Sequence, residues 1–141
     1  MGVLKTIIEA IETRLTALTF KASDEVFDFK SVPSSIIHKA YRIEIGGMDN
    51  TPLTDNYANT IQEITIWIAY KVYRKARTMW KTAQDDQETI EKDLINAAGI
   101  SGLSSDPYLW LVDQKIEAYE ESYLVSQMVF KCDYVRSVAS S

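Results

Sequence analysis

The chain has 141 residues, 46% of them hydrophobic and 25% charged, with a formal net charge of −5. A globule of that length buries roughly 70% of its unfolded surface, so one core suffices and no second domain is needed. This composition excludes a wholly disordered chain, and no apolar run approaches the roughly 20 residues of a membrane-spanning helix.

Cys132 is the single cysteine and His38 the single histidine, so neither an intrachain disulfide nor a cysteine-based zinc site can form. The acidic balance works against general binding to a phosphate backbone, which needs clustered Lys and Arg. At the start of the chain, Glu9 and Glu12 interrupt any signal-peptide stretch, which predicts a product made in the cytosol.

Val3, Leu4, Ile7, Ile8, Ile11, Leu15 and Leu18 follow the i, i+3, i+4, i+7 spacing of one helical face, and Lys5, Glu9, Glu12 and Arg14 fall elsewhere on the wheel. A first helix lying on a sheet is expected. Val26, Phe27 and Phe29 read as a short strand, and residues 32–35 as a turn around Pro33. Tyr41, Ile43 and Ile45 alternate with Arg42 and Glu44 as a half-buried strand that Gly46-Gly47 is expected to end. Residues 48–56, polar and turn-rich, then read as a projecting loop able to meet a partner.

The clearest strand signal runs over residues 62–73. Ile64, Ile66, Ile68, Tyr70 and Val72 share one face, and Thr65, Trp67, Ala69, Lys71 and Tyr73 the other. Two large aromatics on the second face predict that it meets another layer or another subunit. Arg74, Lys75, Arg77 and Lys81 form a basic connection holding Met79 and Trp80. Asp85, Asp86 and Glu88 then suit the start of a second helix with Ile90, Leu94, Ile95, Ala97 and Ala98 inside and Gly99 as its stop. An apolar patch at residues 109–112 has no assigned form. Val112, Gln114, Ile116 and Ala118 alternate with Asp113, Lys115, Glu117 and Tyr119. After Glu120-Glu121-Ser122 the run Leu124, Ser126, Met128, Phe130, Cys132, Tyr134 returns as the partner of a terminal hairpin.

The fold class expected is α+β: a mostly antiparallel sheet with two helices packed on one face, a long β-hairpin and projecting loops. Residues 1–137 form one domain and residues 138–141 a flexible tail.

Chemistry is hard to find in these residues. Ser31, Ser34 and Ser35 lie near His38 beside a proline turn, without the strained elbow that exposes a serine nucleophile. Gly46-Gly47 leads into a loop rather than a helix, so it makes no phosphate cradle. Asp85-Asp86 and Glu120-Glu121 have capping and solubility roles available to them, and Cys132 lies on an apolar strand face where a thiol behaves as a small hydrophobe. No catalytic, cofactor or metal residue is assigned. Exposed aromatics beside Arg, by contrast, are enriched at protein contacts.

The opening run Val3 to Ile11 with Leu15, the strand Ile64 to Val72 leading into the helix around Ile90 to Ala98, and the late strand Leu124 to Tyr134 together resemble the tail terminator proteins of long-tailed bacteriophages. The likeness covers nearly the whole chain and is one of element pattern, without a short diagnostic motif. It implies a virion protein that forms a hexameric ring on the last ring of tail-tube protein, stops tube growth and offers a surface to the head-tail connector or stopper. DNA would cross the lumen only as passing cargo, which suits a negative wall. The contact residues expected are Met48, Asp49, Asn50, Asp55, Asn56, Trp67, Tyr73, Arg74, Lys75, Arg77, Met79 and Trp80. Competing readings are another neck or completion protein, a tail-tube subunit, and a small enzyme or ligand-binding domain using a pocket around Tyr41, Trp67 and Tyr70.

Overall fold

The computed structural model describes residues 2–23, 32–33, 35–72, 76–97, 100, 102–103, 105, 107–119 and 122–138. The opening periodicity forms α1, Val3–Ala17, which buries Ile7, Ile11 and Leu15 and turns Lys5, Glu9 and Thr13 to solvent. The helix is closed by Thr19 in the left-handed region at φ 75°. Its N–H bonds to Thr16 O at 3.0 Å, and the Phe20 N–H bonds to Leu15 O at 3.0 Å. A branched residue in that conformation costs on the order of 1–3 kcal/mol, offset here by the satisfied carbonyls and by Phe20 joining Leu15 in the core.

Strands β1 (Lys21–Ala22), β2 (Ala40–Pro52) and β3 (Tyr57–Lys71) precede a second helix, α2 (Ala76–Asn96), and strands β4 (Tyr108–Tyr119) and β5 (Tyr123–Ser137) follow it. Among the described residues they form one sheet in the order β1-β2-β3-β5-β4. Only the β1–β2 pair is parallel. Both helices lie on the same face. There Ile64, Ile66, Ile68 and Tyr70 of β3, and Leu124, Met128, Phe130, Cys132 and Tyr134 of β5, pack against Ile7, Ile11, Leu15, Ala83, Ile90 and Leu94. Each isoleucine fully removed from water contributes roughly 1.5–3 kcal/mol, which makes the middle of β3 the centre of stability.

The helices are tied to each other and to the sheet by polar contacts. Arg14 grips Asp93 with two bonds, Nε to Oδ1 at 2.8 Å and Nη2 to Oδ2 at 2.7 Å. The arginine hydrogen bond holds the Asp93 carboxyl below its usual range. The buried Gln87 donates to Ser126 Oγ at 2.9 Å and to Lys115 O at 3.2 Å, pinning α2 to β5 and β4.

Two expectations need correction. First, β2 does not end at Gly46-Gly47. The pair sits in a register shift between Ile45 and Met48, and the strand runs on to Pro52, paired with residues 58–62 of β3. The expected projecting loop is therefore mostly a hairpin arm with a short turn at residues 53–56. Continuous pairing with β3, itself backed by β5, overrides the turn-forming composition. Second, α2 begins at Ala76, so Arg77, Met79, Trp80 and Lys81 are helical rather than a connection, and Asp85 and Asp86 lie inside the helix. Residues 76–84 contain no Gly or Pro to break a helix, and Ala, Arg, Met, Lys and Gln among them favour one, while Asp86 turns inward instead of capping. The second face of β3, expected to meet another layer or another subunit, is covered within the chain around Trp67. Ile36 and Ala40, with Val32 packed against them, enclose Trp67, Ala69 and Val125, and Trp67 is only 7% exposed.

The patch at residues 109–112 is the start of β4, where the shift between Leu111 and Asp113 turns Val112 outward. The expected strand at Val26, Phe27 and Phe29, the serines Ser31 and Ser34, the acids Glu120-Glu121, and Ala98 and Gly99 lie outside the described residues. So do residues 139–141 of the expected tail, whereas the Val138 N–H is bonded to Asn56 O at 2.8 Å.

Candidate assembly surface

β3 has 15 residues, so it runs for about 50 Å, and its two ends carry different surfaces. At the residue 57 end it forms a three-stranded arm with residues 48–52 of β2 and 132–137 of β5. The inward alternation that buries Ile64 and Ile66 continues into this arm as Gln62, Thr60 and Ala58, all buried. The arm's inner layer is therefore polar. Thr60 Oγ1 donates to Asn50 Oδ1 at 2.8 Å, and Arg136 donates through Nε to Thr60 Oγ1 at 3.0 Å and through Nη2 to Asn50 Oδ1 at 3.1 Å. Gln62 Nε2 donates to Gly46 O at 2.8 Å beneath the bulge. This network holds three strands in one register, because each side chain bridges to a neighbouring strand.

The turn at the tip is well ordered by its own bonds. The Leu53 N–H meets Tyr57 O at 3.1 Å and the Asn56 N–H meets Thr54 Oγ1 at 3.2 Å. Leu53 is 54% exposed and Tyr57 50% exposed, an unusual pair to leave in water at one point. Beneath the arm is an open pocket of about 360 Å³, lined by Gly2, Val3 and Leu4 at the start of α1, Met48 of β2, and Tyr134, Arg136 and Ser137 of β5. A second, smaller pocket of about 230 Å³ lies between α1 and the β1–β2 edge.

Of the expected contact residues, Met48, Asp49, Asn50, Asp55 and Asn56 all lie exposed on the arm. Arg77 is exposed in the first turn of α2, beyond the opposite end of β3, while Met79 and Trp80 are half-buried against the core. The two groups are thus kept at opposite ends of the long strand rather than brought together. Trp67 is enclosed, its Nε1 donating to Glu44 Oε2 at 3.0 Å, so it offers no surface in a single copy. Tyr73, Arg74 and Lys75 lie outside the described residues. Leu53, Tyr57 and Arg136 were not anticipated, although Arg136 was within reach: it continues the inward alternation of Leu124 to Tyr134 by one more step.

The residues of the alternative pocket do not meet. Tyr41 and Tyr70 are buried beneath the helices, and Trp67 is on the other face of the sheet. His38 Nδ1 accepts the Lys71 backbone N–H at 3.0 Å, and burial lowers its pKa, aided by the nearby Lys39 charge. No group of three or more His, Cys, Asp or Glu among the described residues is arranged to hold a metal ion, and no described helix is long and apolar enough to cross a membrane.

No protein-family model matches the chain, and no curated protein matches it in sequence. Its fold, however, is found in a chain from the virion of a native gene transfer agent particle, with a TM-score of 0.57 over 96% of both chains at 13% identity. The likeness is one of fold. It spans the helices, the sheet and the arm alike, and at that identity it transfers no individual residue's role.

Proposed function

We propose that the protein is a structural subunit of a phage-like virion, and within the virion a tail terminator: a ring, six copies round, that caps the tail tube and presents its far side to the head-tail connector or stopper. The observation that carries this reading is the end-to-end match with a gene transfer agent virion chain, in which neither partner leaves a substantial segment unmatched. The separation of the exposed arm from the exposed start of α2 supports it. A cap needs one surface complementary to the tube and another, remote from it, that is not. The net charge of −5 suits a lumen that passes DNA without retaining it.

Among virion roles, a tube subunit or another neck protein shares these features, and polymerisation separates them. Added in increasing amounts to assembling tube subunits, the protein shortens the tubes seen by negative-stain microscopy and marks one end of each. Tubes of unchanged length without a terminal ring, or long polymers of the protein alone, would reject the terminator role.

A further inference from the structure

Among the described residues Arg136 meets neutral partners only. It donates to Thr60 Oγ1 and Asn50 Oδ1, and no carboxylate among the described residues lies within ion-pair distance. It is half-buried in the wall of the 360 Å³ pocket, where Val3, Leu4, Met48 and Tyr134 supply an apolar lining. A guanidinium in such a setting attracts a carboxylate more strongly than one in open water, because the lining limits screening.

The tip of the arm carries the complementary chemistry. Leu53 is exposed, Tyr57 is exposed, and Asp55 between them is exposed and in no ion pair among the described residues. The bonds Leu53 N–H to Tyr57 O and Val138 N–H to Asn56 O fix the turn before any partner arrives, so little ordering entropy opposes docking. A copy cannot satisfy its own pocket. Tip and pocket share the same rigid strands, and Met48 lies five residues from Leu53, roughly 15 Å along the arm.

We infer that the hairpin tip of one copy docks in the pocket of the next, with the Asp55 carboxylate on the Arg136 guanidinium and Leu53 against Val3, Leu4 and Met48. The inference rests on the assembly reading and adds the contact that joins neighbouring copies. With tip and pocket as separate patches, each copy can engage one neighbour through its tip and another through its pocket, a head-to-tail contact that gives a ring where the rotation closes and that a reciprocal two-copy exchange would contradict. A tip buries less than the roughly 800 Å² per partner of a standard interface, so it acts as the anchor of a wider contact.

The test uses the full chain with Leu53→Cys and Leu4→Cys combined. Cys132 is buried, so mild oxidation reports on the introduced thiols. The double variant gives a disulfide ladder from dimer up to the ring, and each single variant stops at dimers. Asp55→Lys, a surface change that leaves folding intact, raises the concentration needed for assembly about tenfold or more, whereas Asp55→Glu, which keeps the carboxylate, leaves it within a few-fold of the parent. Rings that form normally in Asp55→Lys, with no ladder in the double cysteine variant, overturn the inference and leave the assembly reading standing. Loss of tube attachment with unchanged self-assembly in Asp55→Lys also overturns it, assigning the tip to a contact with another virion protein. A chain that never self-associates, alone or on tubes, removes both.

Discussion

Tyr70 Oη donates a hydrogen bond to Asp86 Oδ2 at 2.8 Å, joining the C-terminal end of β3 to the middle of α2. Tyr70 has no exposed surface, and burial, together with the neighbouring carboxylate, pushes its pKa far up, so the phenol stays a donor. Asp86 also receives Lys39 Nζ at 3.5 Å. Removing the acceptor by Asp86→Ala strands a buried hydroxyl and costs about 1–3 kcal/mol of unfolding free energy. Tyr70→Phe in the same background recovers part of that loss, because no donor is then left unpaired. Urea unfolding of the two variants measures both effects, and an additive double variant would contradict the pairing.

His38 gives the fold a pH dependence near neutrality. Its Nδ1 can accept the Lys71 N–H only while unprotonated, and burial first, then the Lys39 charge, lowers its pKa below 6.5. As pH falls, the unfolded chain takes up this proton before the folded one. Stability is therefore complete above 6.5 and declines as pH drops from there towards the folded value. His38→Asn keeps an acceptor in the Nδ1 position and removes the titration. Unfolding free energies measured on either side of 6.5 should show the slope in the parent and lack it in the variant.

The two bulge glycines differ. A Cβ on Gly46 would lie 2.9 Å from Glu63 Oε1 and 3.3 Å from Glu63 Cβ, while at Gly47 nothing lies within 4 Å and φ is not positive. Gly46→Ala should cost about 1 kcal/mol, since Glu63 must shift to admit the methyl. Gly47→Ala should be neutral or gain about 0.5 kcal/mol through the unfolded chain. Thermal midpoints rank the pair, and the reverse order would show that the bulge is placed elsewhere.

Cys132 should be silent to thiol reagents in the native state. Burial first, and then the Asp133 charge, push its pKa up to about 12, and none of its surface is accessible. Labelling by a chromogenic disulfide should proceed at the rate of opening and become immediate in denaturant. Fast labelling without denaturant would mean that this end of β5 separates from α1.

How much of this could be read from the residues follows from how many neighbours each segment depends on. α1, the middle of β3 and the terminal hairpin carry periodicities long enough to fix their own faces, and they fold as read. The continuation of β2 past Gly46-Gly47 was not legible, because Asn50, Pro52 and the glycines favour a turn and only pairing with residues 58–62 decides otherwise. The start of α2 was misplaced because Asp85 and Asp86 look like an N-terminus. What holds Asp86 inside the helix is Tyr70, distant in sequence. The cover over Trp67 comes from Val32, Ile36 and Ala40, and the turn signal at residues 32–35 gives no sign that this segment folds back over the sheet. At the candidate surface, the exposed polar residues of the arm were legible individually. The pairing of Leu53 and Tyr57, and the polar layer around Arg136, depend on three strands being in register.

The most direct measurement is the native mass of the full chain across a range of concentrations. Copies that meet head-to-tail and close give one dominant species at six times the 16.0 kDa protomer, with little between it and the monomer. A monomer that persists at the highest concentration, or an open series of masses without a preferred size, would contradict the ring.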